Sequence, residues 1–137
     1  MVSAGLIEKF CQAIAKAEGY GKPGPSLGAN NPGNITDDGD VGCGFCETHG
    51  PHGAKITKYK TPEDGWAALN KKVRRMLSGA SHTYTLNMTV MEVALKWSGD
   101  PNWGLNVAEY LKVLPDTTLA TLVGDDPKSQ DGQWPNG

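Results

Sequence analysis

Residues 14–24 read Ile-Ala-Lys-Ala-Glu-Gly-Tyr-Gly-Lys-Pro-Gly, and residues 30–35 read Asn-Asn-Pro-Gly-Asn-Ile. The first segment completes an amphipathic helix predicted over residues 5–18, in which apolar side chains recur at steps of three and four. Gly19 supplies the stop signal for this helix. From there to Gly53 the chain is dense in Gly, Pro, Asn and Asp, which predicts a loop with short strands.

The apolar stripe of this helix runs through Ile7, Phe10, Cys11 and Ile14, and its next position is Glu18. Burial raises the pKa of a carboxyl group because water no longer stabilises the charge, and the negative end of the helix dipole acts in the same direction. Such a group can serve as the general acid that glycoside cleavage requires near neutral pH. The alternative is a glutamate that points to water at a frayed helix end.

The rest of the chain predicts a mainly α (α+β) fold with a small β-hairpin or sheet inserted after the first helix. Thr61 and Pro62 are typical of a helix start, as a cap and a first helical residue. The polar, Gly- and Pro-rich residues 125–137 predict a flexible tail behind one domain of residues 1–124. The predicted elements are a strand over 54–60, helices over 61–79, 89–97 and 104–114, and a short helix from 115.

Composition and charge restrict the function classes. The 137 residues carry a formal net charge of −2, which argues against a dedicated nucleic-acid binder. No apolar run approaches the ~18–20 residues of a membrane span, and the N-terminus lacks the pattern of a signal peptide. We therefore expect a chain that is cytoplasmic when made, is released by another route, or is a trimmed mature form.

The ordered set of motifs resembles the lysozyme-like superfamily, which includes phage-type and goose-type lysozymes and soluble lytic transglycosylases. The similar segments, in order over about residues 5–123, are residues 14–24, 30–35, 59–69, 88–94, 106–111 and 115–117. The resemblance implies a lysozyme-like helical catalytic domain over residues 1–124. It also implies cleavage of the β-1,4 bond between N-acetylmuramic acid and N-acetylglucosamine, with Glu18 as the catalytic acid.

The same resemblance implies peptidoglycan glycan strands as the partner, at the bacterial cell wall, a monomeric chain and no cofactor for catalysis. Asn31 and Asn34 can hydrogen-bond N-acetyl and hydroxyl groups, while Trp103 and Tyr110 can stack on sugar faces. An ordinary turn and buried aromatic residues are the alternatives; Trp97 is expected in the core. The predicted substrate-binding set is Asn31, Asn34, Ile35, Tyr59, Trp103 and Tyr110.

A second catalytic carboxylate is sought on the predicted hairpin. Asp37, Asp38 and Asp40 lie there, and an inverting mechanism needs one carboxylate that holds a water on the far side of the sugar; Asp38 and Asp40 are the candidates. A solvated Asp-Asp-Gly-Asp turn is the alternative. Relatives of the transglycosylase type work with one glutamate and with assistance from the substrate's N-acetyl group, so hydrolysis and transglycosylation both stay open.

Cys43, Cys46, His49 and His52 form an insertion that departs from the family pattern. Two thiolates and two imidazoles can bind structural zinc, although every gap here is two residues rather than the dozen that separates the ligand pairs of zinc fingers. A Cys43–Cys46 disulfide and free thiols are the alternatives, and Cys11 is expected in the core. Metal analysis of the purified chain distinguishes these states.

Two other function classes compete with the enzyme. One is a lysozyme-like fold in a phage particle or secretion device that binds glycan without cutting it. The other is a zinc-dependent interaction domain centred on residues 43–52. Glu18 on the apolar stripe favours the enzyme, because a non-catalytic module has no need of a carboxyl group there.

Overall fold

A computed structural model describes residues 2–22, 27, 29–36, 44–49 and 55–125, with the backbone alone for 44–49 and 55. This part of the chain is mainly helical, as predicted. None of its helices is both long and apolar enough to cross a lipid bilayer. Its helices are α1 (Ala4–Ala17), α2 (Pro62–Leu77), α3 (Val90–Trp97), α4 (Pro101–Leu111) and α5 (Leu119–Asp125).

Helix α1 lies at the centre of the domain, where it packs against α2 and α4. Its N-terminus is capped by Ser3, whose hydroxyl accepts a hydrogen bond of 3.0 Å from the Leu6 N–H. The apolar stripe predicted from the sequence is buried, and Phe10 and Ile14 are fully removed from solvent. Cys11 is buried among them with a free thiol, as expected, and burial raises the pKa of this thiol to about 12.

Two short strands follow α1 in the chain, β1 (Gly44–His49) and β2 (Lys55–Lys58). They pair antiparallel, with Phe45 opposite Thr57, and the register is irregular between Phe45 and His49. A single bridge from Thr36 to Ile56 connects the preceding loop to β2. The hairpin is therefore joined to the segment that contains the Asn-rich motif.

Helix α2 begins as the sequence predicts. The hydroxyl of Thr61 accepts a hydrogen bond from the Asp64 N–H, and Pro62 occupies the first helical position, where its missing N–H costs nothing. The helix ends at Leu77 with Ser78 as its C-cap. Its buried face, with Leu69 and Val73, packs against α1.

The predicted bounds of the fourth helix were wrong. Helix α4 starts at Pro101 rather than Gly104, because the Asp100 carboxylate caps it by accepting a hydrogen bond of 2.9 Å from the Asn102 N–H. It ends at Leu111, because the C-cap residue Lys112 adopts a left-handed backbone conformation (φ 59°). Leu114 therefore lies beyond the helix and is 71% exposed. The predicted tail over 125–137 lies outside the described residues, apart from Asp125.

Gly65 marks the closest approach between α2 and the Asn-rich loop. A Cβ atom at this position would collide with the backbone carbonyl oxygen of Asn30. We therefore expect Gly65→Ala to lower the free energy of unfolding by about 3 kcal/mol, because the backbone of the loop must move away from the helix. Urea denaturation measures this loss.

Gly5→Ala is the matched control, since a Cβ there meets only the Ser3 hydroxyl at 3.9 Å. Alanine in place of an exposed helical glycine adds up to about 1 kcal/mol of stability. Equal unfolding midpoints for the two variants would contradict the close contact at Gly65.

Candidate active site

The end of α1 fixes the backbone of Glu18. Gly19 adopts a left-handed conformation (φ 75°) and donates its N–H to the Lys16 carbonyl, while the Tyr20 N–H donates to the Ala15 carbonyl. These two bonds form a Schellman turn, which a residue without a Cβ favours at the left-handed position. Glu18 is the C-cap residue of α1, so the position of its backbone is set by the end of this helix.

The side chain of Asn31 holds the neighbouring loop. It is fully buried, its amide donates hydrogen bonds of 2.8 Å to the carbonyl groups of Ile35 and Thr57, and its oxygen accepts from the Ile35 N–H. Both amide hydrogens are therefore used inside the protein. The sequence predicts that the Asn31 side chain contacts a sugar. In the structure this side chain instead holds the loop in place.

Asn30 and Asn34 both adopt the left-handed backbone conformation, at φ 52° and 50°. Asparagine enters this region at lower cost than most other residues with a side chain. Asn30 donates its amide to the Tyr59 carbonyl at 3.0 Å, which ties the loop to the end of the hairpin. The turn at Asn34 directs its side chain toward α1.

Asn34 and Glu18 form the centre of the candidate site. The Asn34 amide Nδ2 donates a hydrogen bond of 3.0 Å to Glu18 Oε1 across 16 residues of sequence, and both side chains are partly buried. The fold thus brings together two residues that the sequence predicts for different roles, Glu18 as a catalytic acid and Asn34 as a substrate contact.

Aromatic side chains form the wall behind this pair. The rings of Trp97 and Trp103 are stacked with centroids 5.9 Å apart, and both residues are buried, as expected for Trp97. The indole N–H of Trp97 donates to the Gly33 carbonyl at 2.8 Å, which fastens the loop to α3. Lys72 of α2 places its ammonium nitrogen 4.3 Å from the centroid of the Trp97 ring.

This surrounding raises the pKa of Glu18 from 4.5 to about 7, because burial removes water from the carboxylate. The indole N–H of Trp103, the Asn34 amide, the indole of Trp97 and the Lys72 ammonium partly offset the rise, since each stabilises negative charge. Desolvation therefore dominates. At neutral pH a substantial fraction of Glu18 is protonated, a state in which it can donate a proton.

Two buried polar atoms beside Glu18 have no hydrogen-bond partner within the described part of the chain: Asn34 Oδ1 and Trp103 Nε1. The Trp103 N–H is near enough to the carboxyl group to lower its pKa, but it does not reach hydrogen-bond geometry with it. Buried polar atoms are rarely left unpaired in native proteins, and exceptions are frequent at functional sites. One acceptor and one donor are thus available close to the acid.

Two grooves border the site, although Glu18 lines neither of them among the described residues. The first, which we call the α2 groove, has a volume of about 590 Å³. It is lined by Ile35, Thr36 and one face of α2, which consists of Asp64, Ala67, Ala68, Lys71, Lys72 and Arg75. The second, the tyrosine groove, has a volume of about 710 Å³ and includes Tyr20 and Tyr110.

The other predicted site residues are spread between core and surface. Tyr59 is buried in the hydrophobic core, where its side chain supports the loop. Ile35 is also buried, at the edge of the α2 groove that it helps to line. Tyr110 is 37% exposed, and the Lys16 ammonium lies 5.6 Å from the centroid of its ring. Trp103 presents an N–H near Glu18 rather than an open face for stacking.

The predicted second carboxylates and zinc ligands cannot be placed. Asp37, Asp38, Asp40, Cys43 and His52 lie outside the described residues. The side chains of Cys46 and His49 on β1 are also outside the description. Within the described residues there is no group of three or more His, Cys, Asp and Glu side chains that could hold a metal ion.

Lys72 and the indole N–H of Trp97 are the site features that sequence reasoning missed. Lys72 belongs to a run of basic residues that is typical of a solvated helix face, and Trp97 is expected in the core. Neither pattern indicates that the two side chains meet beside Glu18.

Comparison with known proteins finds no matching family model, no matching curated protein and no matching solved structure.

The raised pKa of Glu18 makes the stability of the fold depend on pH. Below about pH 4.5 the carboxyl group is protonated in both the folded and the unfolded chain, so burial of its charge costs nothing. Between that pH and about 7 the unfolded chain ionises first, and stability falls by an amount on the order of 3 kcal/mol.

We therefore expect Glu18→Gln, which keeps an oxygen for the Asn34 amide, to be more stable than the wild type at about pH 8 and similar at about pH 4. Urea unfolding across this range measures the difference. A constant difference between the two proteins at all pH values would exclude a raised Glu18 pKa.

Proposed function

We propose that this protein cleaves the β-1,4 bond between N-acetylmuramic acid and N-acetylglucosamine in peptidoglycan, with Glu18 as the general acid. The observation that carries the proposal is the partly buried Glu18 carboxyl group, which receives a hydrogen bond from Asn34 and has a pKa of about 7. The lysozyme-like pattern of the sequence supports the choice of substrate. The helical fold and the place of Glu18 at the end of α1 are consistent with it.

In the proposed reaction, protonated Glu18 gives its proton to the glycosidic oxygen while the bond from this oxygen to the anomeric carbon breaks. The leaving sugar departs as a neutral alcohol, and Glu18 becomes a carboxylate. The Asn34 amide donates a hydrogen bond to the carboxylate that forms on Glu18, and the nearby indoles of Trp103 and Trp97 and the Lys72 ammonium also favour this charge. The environment thus favours protonation at rest and tolerates the anion that catalysis creates.

The positive charge that develops on the sugar must be taken up by water or by the substrate. In a hydrolase, Asp38 or Asp40 would activate a water molecule that attacks the anomeric carbon. In a transglycosylase, the N-acetyl group would assist, and the sugar's own hydroxyl would attack the anomeric carbon to form an intramolecular ether and give its proton to the Glu18 carboxylate. Both routes use Glu18 in the same first step.

Substrate contacts are proposed for the unpaired polar atoms and for the tyrosine rings that line a groove. Asn34 Oδ1 can accept from a sugar hydroxyl or N-acetyl N–H, and Trp103 Nε1 can donate to a sugar oxygen. Tyr20 and Tyr110, which line the tyrosine groove, offer rings for stacking against sugar faces. Of the residues that the sequence predicts to bind substrate, Asn34, Trp103 and Tyr110 therefore remain part of the proposed site.

The first test is the activity of Glu18→Gln on purified peptidoglycan. Loss of the proton donor is expected to lower the cleavage rate at least ~100-fold, as for other general acids, while the stability at neutral pH is kept or increased. Mass spectrometry of the soluble fragments identifies the bond that is cut and separates reducing from 1,6-anhydro ends.

Glu63→Gln, which alters an exposed carboxylate in the first turn of α2, is the control and should cleave like the wild type. Equal rates for Glu18→Gln and the wild type would remove Glu18 from the mechanism. A wild-type protein that binds glycan and releases no fragments would instead indicate the non-catalytic module.

The second test concerns the pH profile of cleavage. Activity should decline above about pH 7, where Glu18 loses its proton. Asn34 lowers the pKa of Glu18 through its hydrogen bond, so Asn34→Ala should move the alkaline limb of kcat/KM to higher pH. Asn87→Ala, at an exposed loop position, is the control and should leave the limb in place. A limb that moves to lower pH in Asn34→Ala would contradict the assigned hydrogen bond.

A further inference from the structure

The tyrosine groove carries a concentration of positive charge that the cleavage chemistry does not use. Four lysine side chains line it, whereas its described lining contains a single carboxylate, that of Glu109. The lysines are Lys9, Lys16, Lys22 and Lys112. The chain as a whole has a formal net charge of −2, so the groove is a local surface of the opposite sign. Such a surface raises the local concentration of anionic ligands.

The four lysines reach the groove from three separate parts of the chain. Lys9 and Lys16 lie about two turns apart on one face of α1. Lys22 follows this helix, in a turn where its N–H donates to the Gly19 carbonyl at 3.1 Å. Lys112 is the C-cap residue of α4. The packing of α1 against α4 brings these segments together, and all four lysine side chains are exposed.

Helix stability explains only part of this pattern. A cation in the last turn of a helix interacts favourably with the helix dipole, which accounts for Lys16. Lys9 lies in the middle of α1, where the dipole gives a cation no such advantage. Lys112 adopts the left-handed backbone conformation (φ 59°), in which glycine costs less than a residue with a Cβ. A positive charge is therefore kept at a position where the backbone favours glycine, and strained positions of this kind concentrate at functional sites.

The side chains of the groove suit a ligand with several phosphate groups. A lysine ammonium is a compact point charge without the planar fork of arginine, so it can neutralise a phosphodiester without requiring one fixed orientation. Lys9 and Lys16 are separated by about 10 Å along the helix axis, so the groove matches a chain of anionic groups better than one isolated ion. Tyr20 and Tyr110 add ring surface and hydroxyl groups for the neutral sugar or polyol units that separate the phosphates.

The groove is continuous with the candidate active site through the end of α1. Gly19 and Tyr20 belong to its lining and directly follow Glu18 in the chain. A polymer that is attached to the glycan strand at Glu18 therefore has the lysines within reach. A nucleic acid also carries phosphodiesters, but it has no such connection to the bond that Glu18 is proposed to cleave.

From these features we infer that the tyrosine groove binds an anionic phosphodiester polymer that is covalently attached to the wall glycan, with its phosphates paired to the four lysines. The inference rests on the proposed function, because it names a further partner of the same site. Its consequence is selectivity: the protein is retained on walls that bear this polymer and cleaves them in preference to walls without it.

The first measurement is the affinity for soluble poly(glycerol phosphate), determined by calorimetric titration. In Lys9→Gln/Lys22→Gln the affinity should fall about tenfold, because two of the four charges that pair with phosphates are lost. Added salt should weaken binding to the wild type more steeply than binding to this variant, since fewer counterions are released. Lys60→Gln/Lys96→Gln removes the same charge at exposed positions outside the groove lining, and it should bind like the wild type.

Lys112→Gly separates a binding role from a structural one. Glycine relieves the cost of the left-handed backbone, so the urea midpoint of this variant should rise while its affinity for poly(glycerol phosphate) falls. A stabilised variant that binds the polymer as tightly as the wild type would overturn the four-lysine site.

Single-stranded DNA with the same number of phosphates represents the competing occupant. Tighter binding of this DNA than of poly(glycerol phosphate) would overturn the inference in favour of a nucleic acid. Equal affinities of Lys9→Gln/Lys22→Gln and its control for poly(glycerol phosphate) would overturn it as well.

Cleavage connects the groove with the proposed function. The substrates are walls that bear a polyol phosphate polymer and the same walls after hydrofluoric acid has broken its phosphodiesters. The wild type should cleave the polymer-bearing walls several-fold faster, and this preference should fall to near one in Lys9→Gln/Lys22→Gln. Equal rates of the wild type on both walls would overturn the inference and leave the glycan chemistry intact. Polymer binding by a wild type that cleaves neither wall would reject the proposed function and still support the lysine site.

Discussion

The candidate site depends on the buried amide of Asn31. Its three hydrogen bonds connect the loop at Ile35 with β2 at Thr57, and they replace the water that these backbone groups would otherwise need. With the loop closed in this way, Asn34 is held in a left-handed turn that aims its amide at Glu18. Removal of the Asn31 amide would leave buried carbonyl groups unpaired and would release the residue that contacts the acid.

The surroundings of Glu18 reflect a compromise between stability and reactivity. A glutamine would satisfy the Asn34 amide as well as the carboxyl group does, without the free-energy cost of burying a charge near neutral pH. The fold keeps the ionisable group and surrounds it with Trp103, Asn34, Trp97 and Lys72, which moderate the cost without cancelling it. Strongly perturbed groups of this kind concentrate at functional sites, although structural networks produce them too.

Local signals made much of the helical framework predictable. The α1 stripe and the Thr61 cap are encoded within a few residues, so their positions could be read directly. The apolar pattern predicts a start of α4 at Gly104, whereas the Asp100 cap, which lies outside that pattern, starts the helix at Pro101. The candidate acid was predictable from its place on the stripe, and the Asn-rich turn was recognisable as a unit.

The sequence does not indicate which asparagine of that turn is structural and which faces Glu18. Asn31 and Asn34 have the same side chain, three residues apart, and only the pairing with β2 decides that one is buried and the other faces Glu18. The same pairing also determines how the protein responds to a change in the length of the chain between Ile35 and Thr57. Because Ile35 and Thr57 are joined directly by a backbone hydrogen bond and again through Asn31, the intervening chain leaves and returns at one fixed point. A change of chain length between these two anchors therefore costs little entropy and leaves the Asn34 turn in place beside Glu18.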